Sequence, residues 1–186
     1  TNKTKVVDVS SYNRTSNCAN MGVTCNWSNG VYGMGIGFDG TNDFIDLGAF
    51  DELEGISKLT IMTWMRRNGA NSIGTIGKQR QGPLASIIFS PWSDGLTYFQ
   101  VDDGTTAYGT TTSSNDANWH HIAMVYDGTQ SPTNANTLKG YIDGVQQTLT
   151  FTGTVPATTA TAAGFPFYIG TDNGGGYASG YVDEVR

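Results

Sequence analysis

The two histidines of the chain, His120 and His121, stand side by side in "NWHHIAMVYDG". Histidine is a common metal ligand and the usual general base near neutral pH, so this pair raises the first chemical question. The apolar run that follows makes the segment a strand, and in a strand successive side chains point to opposite faces. His120 then shares a face with Ile122, Met124 and Tyr126, and His121 with Ala123 and Val125. The two rings cannot ligate one metal or serve one reaction centre. No serine or cysteine nucleophile pairs visibly with either. The expectation is a core strand whose edge histidine is hydrogen-bonded.

Carboxylates are the next candidates. Glycoside hydrolysis needs two of them ~5–9 Å apart across the scissile bond, which on a strand means acids at alternate positions. The only glutamates are Glu52, Glu54 and Glu184. Glu52 and Glu54 fall in a loop or short turn, and Glu184 directly follows Asp183, so those two point oppositely. The expectation is a chain without catalysis. "GVYGMGIG" is glycine-rich, but no helix follows it to hold a phosphate.

Calcium takes carboxylate, amide and carbonyl oxygens. "TNDF" offers Asn42 and Asp43 in a turn, and "GTDNGGG" offers Asp172 and Asn173; the same residue types also simply make turns. A glycan needs exposed aromatic faces with polar neighbours. Trp92 in "SPWSDG" lies in a turn-like loop, and Tyr108 and Tyr177 lie in Gly/Thr-rich surroundings, so these three are the ligand-binding candidates. Trp64 and Trp119 fall in apolar strands and are expected in the core; Trp27 stays unassigned. Cys18 and Cys25 flank a short polar loop. A disulfide there would stabilise by roughly 2–3 kcal/mol and imply an oxidising compartment; two free thiols are the alternative, and two cysteines make only half a zinc site.

The elements that must position these groups are short strands cut by Asp-Gly turns, which occur at Asp39, Asp94, Asp103, Asp127 and Asp143. Both residues of that dipeptide tolerate positive φ. In "LKGYIDGVQQTLTF" the pattern predicts a strand from Leu138 to Ile142, a two-residue turn, and a return from Val145 to Phe151. "GIGF" and "DFIDLG" form another pair around "DGTN". "KLTIMTWMRR" has large apolar residues in both alternating sets, so both of its faces are expected to be partly covered. "LASIIF", "LTYFQV", "FPFYIG" and "YVDEV" are further strands, whereas "GTTTSSNDAN" and "TGTVPATTATAAG" read as loops or flat edge strands. "AFDELEGISK" is good for one helical turn at most. Many short strands with regular turns make an antiparallel sandwich or barrel.

Bulk properties narrow the partners. The 186 residues fit a single domain, with 14% charged residues and a net charge of −6. Nucleic acid is not an expected partner for such a chain, because phosphate binding needs clustered Lys and Arg. Arg66–Arg67 and Lys78–Arg80 are expected to be solvated charges at strand ends. No apolar run approaches the ~20 residues that span a bilayer, and the first residues do not have the pattern of a signal peptide.

Several of these segments, in this order, resemble one family. "GFDGTNDFIDLG" looks like the early hairpin of laminin G-like domains, and "LTIMTWMR" resembles their tryptophan-bearing strand. "NWHHIAMVYDG" with "LKGYIDGVQQ" resembles the central pair, and "FYIGTDNGGGYASGYVDEVR" the closing strands. The resemblance covers most of Ile36 to Arg186 and implies a jelly-roll β-sandwich of two antiparallel sheets in the concanavalin A-like superfamily, as found in bacterial surface proteins. Related pentraxins bind calcium at the position of "TDN" together with an Asp-Asn pair on an earlier loop, which implies calcium at Asp172, Asn173, Asn42 and Asp43. Asp183 matches a structural calcium position of some members, although its usual partners lie on a first strand that is missing here. Members also continue past "DEVR", so residues 1–186 are expected to be one domain trimmed at both ends. The function implied is a non-catalytic extracellular or cell-surface recognition module for a glycan, calcium-assisted, within a larger protein. The alternative is a structural or adhesive domain that binds extracellular protein, with a glucanase-type enzyme third.

Overall fold

The computed structural model describes residues 5–8, 14, 16–21, 25–68, 76–79, 86–112, 116–161, 164–171 and 176–186. In chain order the strands are β1 (Lys5–Val6), β2 (Ser16–Ala19), β3 (Trp27–Asn29), β4 (Met34–Asp39), β5 (Phe44–Ala49), β6 (Lys58–Arg67), β7 (Ile76–Gln79) and β8 (Ser86–Pro91). There follow β9 (Leu96–Val101), β10 (Tyr108–Thr112), β11 (Trp119–Asp127), β12 (Leu138–Ile142), β13 (Val145–Gln146), β14 (Thr150–Thr152), β15 (Pro166–Ile169) and β16 (Ser179–Asp183). They form a nine-stranded sheet, β1-β2-β5-β15-β7-β8-β9-β10-β14, and a seven-stranded sheet, β13-β12-β11-β6-β16-β4-β3. Neighbouring strands are antiparallel, and the expected sandwich is what the chain adopts. Among the described residues, helix is confined to single turns: Asp51–Leu53, where one was expected, Gly128–Gln130, and the four residues Asn134–Thr137.

The core lies between the sheets. Phe89 and Phe99 stack there with ring centroids 5.9 Å apart and planes 14° apart, and Met124, Ile76, Val101 and Leu138 are buried around them. Each such side chain contributes about 1.5–3 kcal/mol through loss of apolar surface. Gly140 on β12 is required by this packing, because a Cβ there would collide with the Phe99 ring.

Four expectations need correcting. The segments on either side of "DGTN" do not pair with each other. β4 pairs with β3 and β16, and β5 pairs with β2 and β15. The turn is a step between sheets, held by the Asp43 carboxylate, which accepts the Asp39 N–H at 3.1 Å. The hairpin at Asp143–Gly144 is present, with φ of 50° and 78°, but its return strand stops at Gln146. The chain then crosses to β10 of the other sheet, because Leu149 and Phe151 pack over Gly109, where a side chain would collide with both.

Trp64 and Trp119 are not core residues. On β6, Ile61, Thr63, Met65 and Arg67 face inward and are buried, whereas Met62, Trp64 and Arg66 face outward and are half-buried. With large apolar groups in both sets, hydrophobicity alone could not choose the phase. Buried Thr63 is accommodated because its hydroxyl donates to the Asp183 carbonyl at 2.9 Å. Both faces of β6 are partly covered, as expected. Finally, Arg67 and Lys78 are not solvated charges: they are 6% and 3% exposed. Lys78 Nζ pairs with Glu54 at 2.8 Å and donates to the Phe50 carbonyl at 3.0 Å. Arg80 lies outside the described residues.

Candidate functional site

The strand directions bring one set of turns to a single end of the sandwich. The pairings Ser179↔Asp39, Ile169↔Ile45, Pro91↔Thr97 and Thr112↔Leu96 put there the turns after β4, β8, β10 and β15. Arg67, at the end of β6, ties the sheets together at this edge. Its Nη2 donates to the Trp92 carbonyl at 3.0 Å.

Trp92 occupies the tight turn between β8 and β9, closed by Trp92 N–H to Leu96 O at 2.7 Å and Gly95 N–H to Trp92 O at 3.2 Å. Its ring does not stand alone. β9 alternates Thr97, Phe99 and Val101 inward with Leu96, Tyr98 and Gln100 outward. The Tyr98 ring lies 5.7 Å from Trp92, and Tyr108 on neighbouring β10 lies 5.3 Å from Tyr98. The planes are tilted by 56° and 54°, so the three rings form a continuous, faceted aromatic platform on the outside of the nine-stranded sheet. The Tyr98 hydroxyl donates to Asp94 Oδ2 at 2.7 Å. That bond, with burial and the Asp94 charge, pushes the phenol up to about 12 and keeps it a donor. Beside the rings, Thr110, Thr150 and Thr152 present hydroxyls across β10 and β14, and Gln100 donates to Asp102 at 2.6 Å.

Trp92 and Tyr108 were both candidates from the sequence, and the structure brings them together through Tyr98. In the sequence alone, Tyr98 is not distinguished from an ordinary strand residue. The signal was present in the register: in "LTYFQV" the aromatic alternates with Thr97 and Phe99, and the Phe is the core member.

Tyr177 is elsewhere. It bridges to Thr171 at the loop after β15, separated from the platform by β7 and β8. Asn42 and Asp43 adjoin that loop: Gly170 packs against Phe38 and the Asp43 carbonyl, and a Cβ at Gly170 would lie 3.2 Å from that oxygen. The Asn42 carbonyl accepts from Asn20 Nδ2 at 3.0 Å. Asp43 is 4% exposed. Burial pushes its carboxyl up, the Asp39 N–H bond opposes this, and the Asp39 charge adds to it. Asp172 and Asn173 lie outside the described residues.

Asp183 is not part of this rim. It sits at the far end of β16, about 13 Å along the strand from Ser179 at ~3.3 Å per residue. Its Oδ2 accepts the N–H groups of Val31 and Tyr32 at 2.8 and 2.9 Å, and its Oδ1 accepts that of Glu184 at 2.8 Å. Its visible work is to pin the β3–β4 turn over the seven-stranded sheet. Among the described residues no group of three or more His, Cys, Asp or Glu side chains is gathered as a metal shell.

The histidines divide as the strand period requires. His121 points outward and meets Trp64, with ring centroids 5.4 Å apart. His120 is the hydrogen-bonded edge histidine: Nδ1 lies 2.7 Å from Asp143 Oδ2 and Nε2 lies 2.9 Å from Asp116 Oδ1. Only a doubly protonated ring donates to both carboxylates. Burial works against that charge, but the bonds to Asp143 and Asp116 outweigh it and hold the His120 pKa above its ordinary value. The His120 bond, with others from Asn118, draws Asp116 down to about 2. Cys18 and Cys25 form the expected disulfide. No helix among the described residues is long and apolar enough to cross a membrane.

Residues 39–186 match the laminin G-like family model of the concanavalin A-like lectin/glucanases superfamily. Among solved structures, the chain is similar to domain 4 of AbnA, an extracellular family-43 arabinanase of Geobacillus stearothermophilus, in complex with arabinotriose. The identity is 19% over 90% of this chain and 76% of that one, with a TM-score of 0.58. It is also similar to domains LG4-5 of the mouse laminin alpha1 chain, at 16% identity over 92% of this chain and 42% of that one, with a TM-score of 0.54. No curated protein sequence matches the chain.

Proposed function

From a chain that belongs to the laminin G-like family of the concanavalin A-like lectin/glucanase superfamily, we propose a non-catalytic extracellular recognition module that binds a glycan. The observation that carries this reading is the Trp92–Tyr98–Tyr108 platform. Three adjoining aromatic faces beside threonine hydroxyls match what a sugar offers, an apolar C–H face edged by hydroxyl groups. The arabinotriose complex of a similarly folded domain supports the ligand class. The Cys18–Cys25 disulfide supports an oxidising compartment. Within this reading the partner is a glycan, with a cell-surface or extracellular protein as the alternative.

Calcium assistance is part of this reading, with Asn42, Asp43, Asp172 and Asn173 as the residues that would supply its oxygens. Asp43 suits a cation: it is a buried carboxylate that faces the charge of Asp39, and hard divalent ions favour such oxygen sets.

The test is a glycan array of the domain, with calcium and with EDTA, followed by titration of any hit. Trp92→Ala should weaken binding roughly 30-fold, the ~2 kcal/mol of a hot-spot aromatic; unchanged affinity removes the platform from the site. Calcium should raise the melting temperature, and Asp172→Ala should abolish the rise. An array blank in both buffers favours the protein-binding alternative.

A further inference from the structure

The opposite side of the molecule carries a concave feature. On the outside of the seven-stranded sheet, Tyr32, Met62, Trp64, His121, Glu184 and Arg186 line a cleft of ≈ 390 Å³, within the ~300–1,000 Å³ usual for small-molecule sites. Its walls are built deliberately by the fold. Trp64 and Met62, from β6, make the floor. His121, from β11, rises on one side with its ring inclined 65° to that of Trp64. Tyr32, from the turn over β16, rises on the other, 6.3 Å from Trp64 and inclined 68°. The three rings make a trough with an aromatic base.

The end of the trough is polar. Glu184 has φ of 51°, a left-handed conformation that glutamate rarely adopts and that costs energy to hold. The Asp183 side chain maintains it by accepting the Glu184 N–H. Arg186 then resumes pairing with β6, its N–H and carbonyl each bonded to Met62 at 2.9 Å. The result is Glu184 and Arg186 side by side, with Nη2 to Oε2 at 2.5 Å and Nε to Oε2 at 3.1 Å. One negative and one positive group cancel, so the trough offers no net attraction for a charged ligand. It does offer a fixed carboxylate acceptor and guanidinium donors beside an indole face.

We propose that this cleft is a second saccharide-binding site, for a neutral sugar whose C–H face lies on Trp64 and whose hydroxyls bond to Glu184 and Arg186. The module is then bivalent, with one site on each outer face. This site does not rest on the Trp92 platform, which belongs to the other sheet.

The test is NMR of the tryptophan indole N–H groups, with cellotriose, xylotriose, maltotriose and tetramethylammonium as probes. It is run in wild type and in a Trp92→Ala/Tyr98→Ala double variant. The Trp64 indole signal should shift with at least one trisaccharide in both proteins. Arg186→Ala should weaken that response about tenfold, the loss of a charge-assisted hydrogen bond. The Arg186 side chain is 68% exposed and its backbone bonds survive truncation, and an unchanged melting temperature would confirm that the fold is intact. Three results would overturn the proposal: no Trp64 shift with any sugar, a shift with tetramethylammonium alone, or a shift that disappears in the double variant. Failure of the platform would be read separately, from the Trp92 indole of wild type.

Discussion

The two outer faces of the sandwich use the same aromatic residue types in different ways. On the nine-stranded sheet, Trp92, Tyr98 and Tyr108 sit edge to edge across a turn and two adjacent strands, and the surface stays open. On the seven-stranded sheet, Trp64 lies lower, between His121 and Tyr32, and Arg66 nearby packs over Tyr181 at 4.3 Å and Trp119 at 5.5 Å. The first face is held mainly by neighbours in its own sheet and by Arg67 beneath it. The second depends on a turn that crosses over it, fastened by the Asp183 carboxylate. An open platform suits an extended chain, and a trough suits a single sugar unit. The shape of each aromatic site is set by what anchors its edges.

The comparison can be tested from its foundation outward. Phe99 lies under both faces, so Phe99→Ala should cost about 3–5 kcal/mol of stability, read by urea denaturation. It should affect both indole environments together; loss confined to one face would mean that the sheets unfold separately. Asp183→Ala leaves the N–H groups of Val31, Tyr32 and Glu184 without their acceptor and should cost roughly 2–3 kcal/mol. It should disturb the Trp64 indole and leave Trp92 unchanged. Tyr98→Ala is the counterpart on the open face. Glycan affinity should fall by a factor similar to that for Trp92→Ala, and stability by about 1 kcal/mol; titration calorimetry and melting separate the two.

The smallest effect belongs to the edge between the faces. His120 has a raised pKa, so its contribution is complete below its unfolded value of about 6.5 and is lost as pH rises through the higher folded value. Asp116, lowered to about 2, contributes above about 4 and loses that contribution as pH falls towards 2. The clasp is therefore fully formed between about pH 4 and 6.5. The melting temperature of wild type should drift down on the alkaline side of this window, and His120→Gln should flatten the drift. An equal drift in both proteins would exclude His120 as its source.

Much of this architecture was legible in the residues. The period-two rule separated His120 from His121 before any coordinates, since adjacent strand residues cannot share a face. Asp143–Gly144 specified its turn because both residues accept positive φ. Cys18 and Cys25 were close enough along the chain for the disulfide to be anticipated. Trp92 stood out because its turn leaves a large aromatic little to pack under.

Other features were not legible, for particular reasons. "LTIMTWMRR" has bulky residues in both alternating sets, so only the partner strands could choose which set faces inward. They buried Thr63 and Arg67 and left Trp64 outside. Asp39 and Asp43 read as an ordinary hairpin turn, and the competing partners β16 and β15, more than 120 residues away, drew the two flanking strands into different sheets. Tyr98 gained meaning only when register placed Tyr108 beside it and the turn folded Trp92 onto it.

By itself the sequence determined much of the local grammar: most of the strands, the tight Asp143–Gly144 turn, and the fact that the two histidines lie on opposite faces. These depend on backbone geometry and on residues near one another in the chain. The tertiary structure decided which aromatics meet, which charges are buried and where the clefts form. Those outcomes depend on pairing between distant strands, where many registers satisfy the same local pattern and only the packed sandwich selects one.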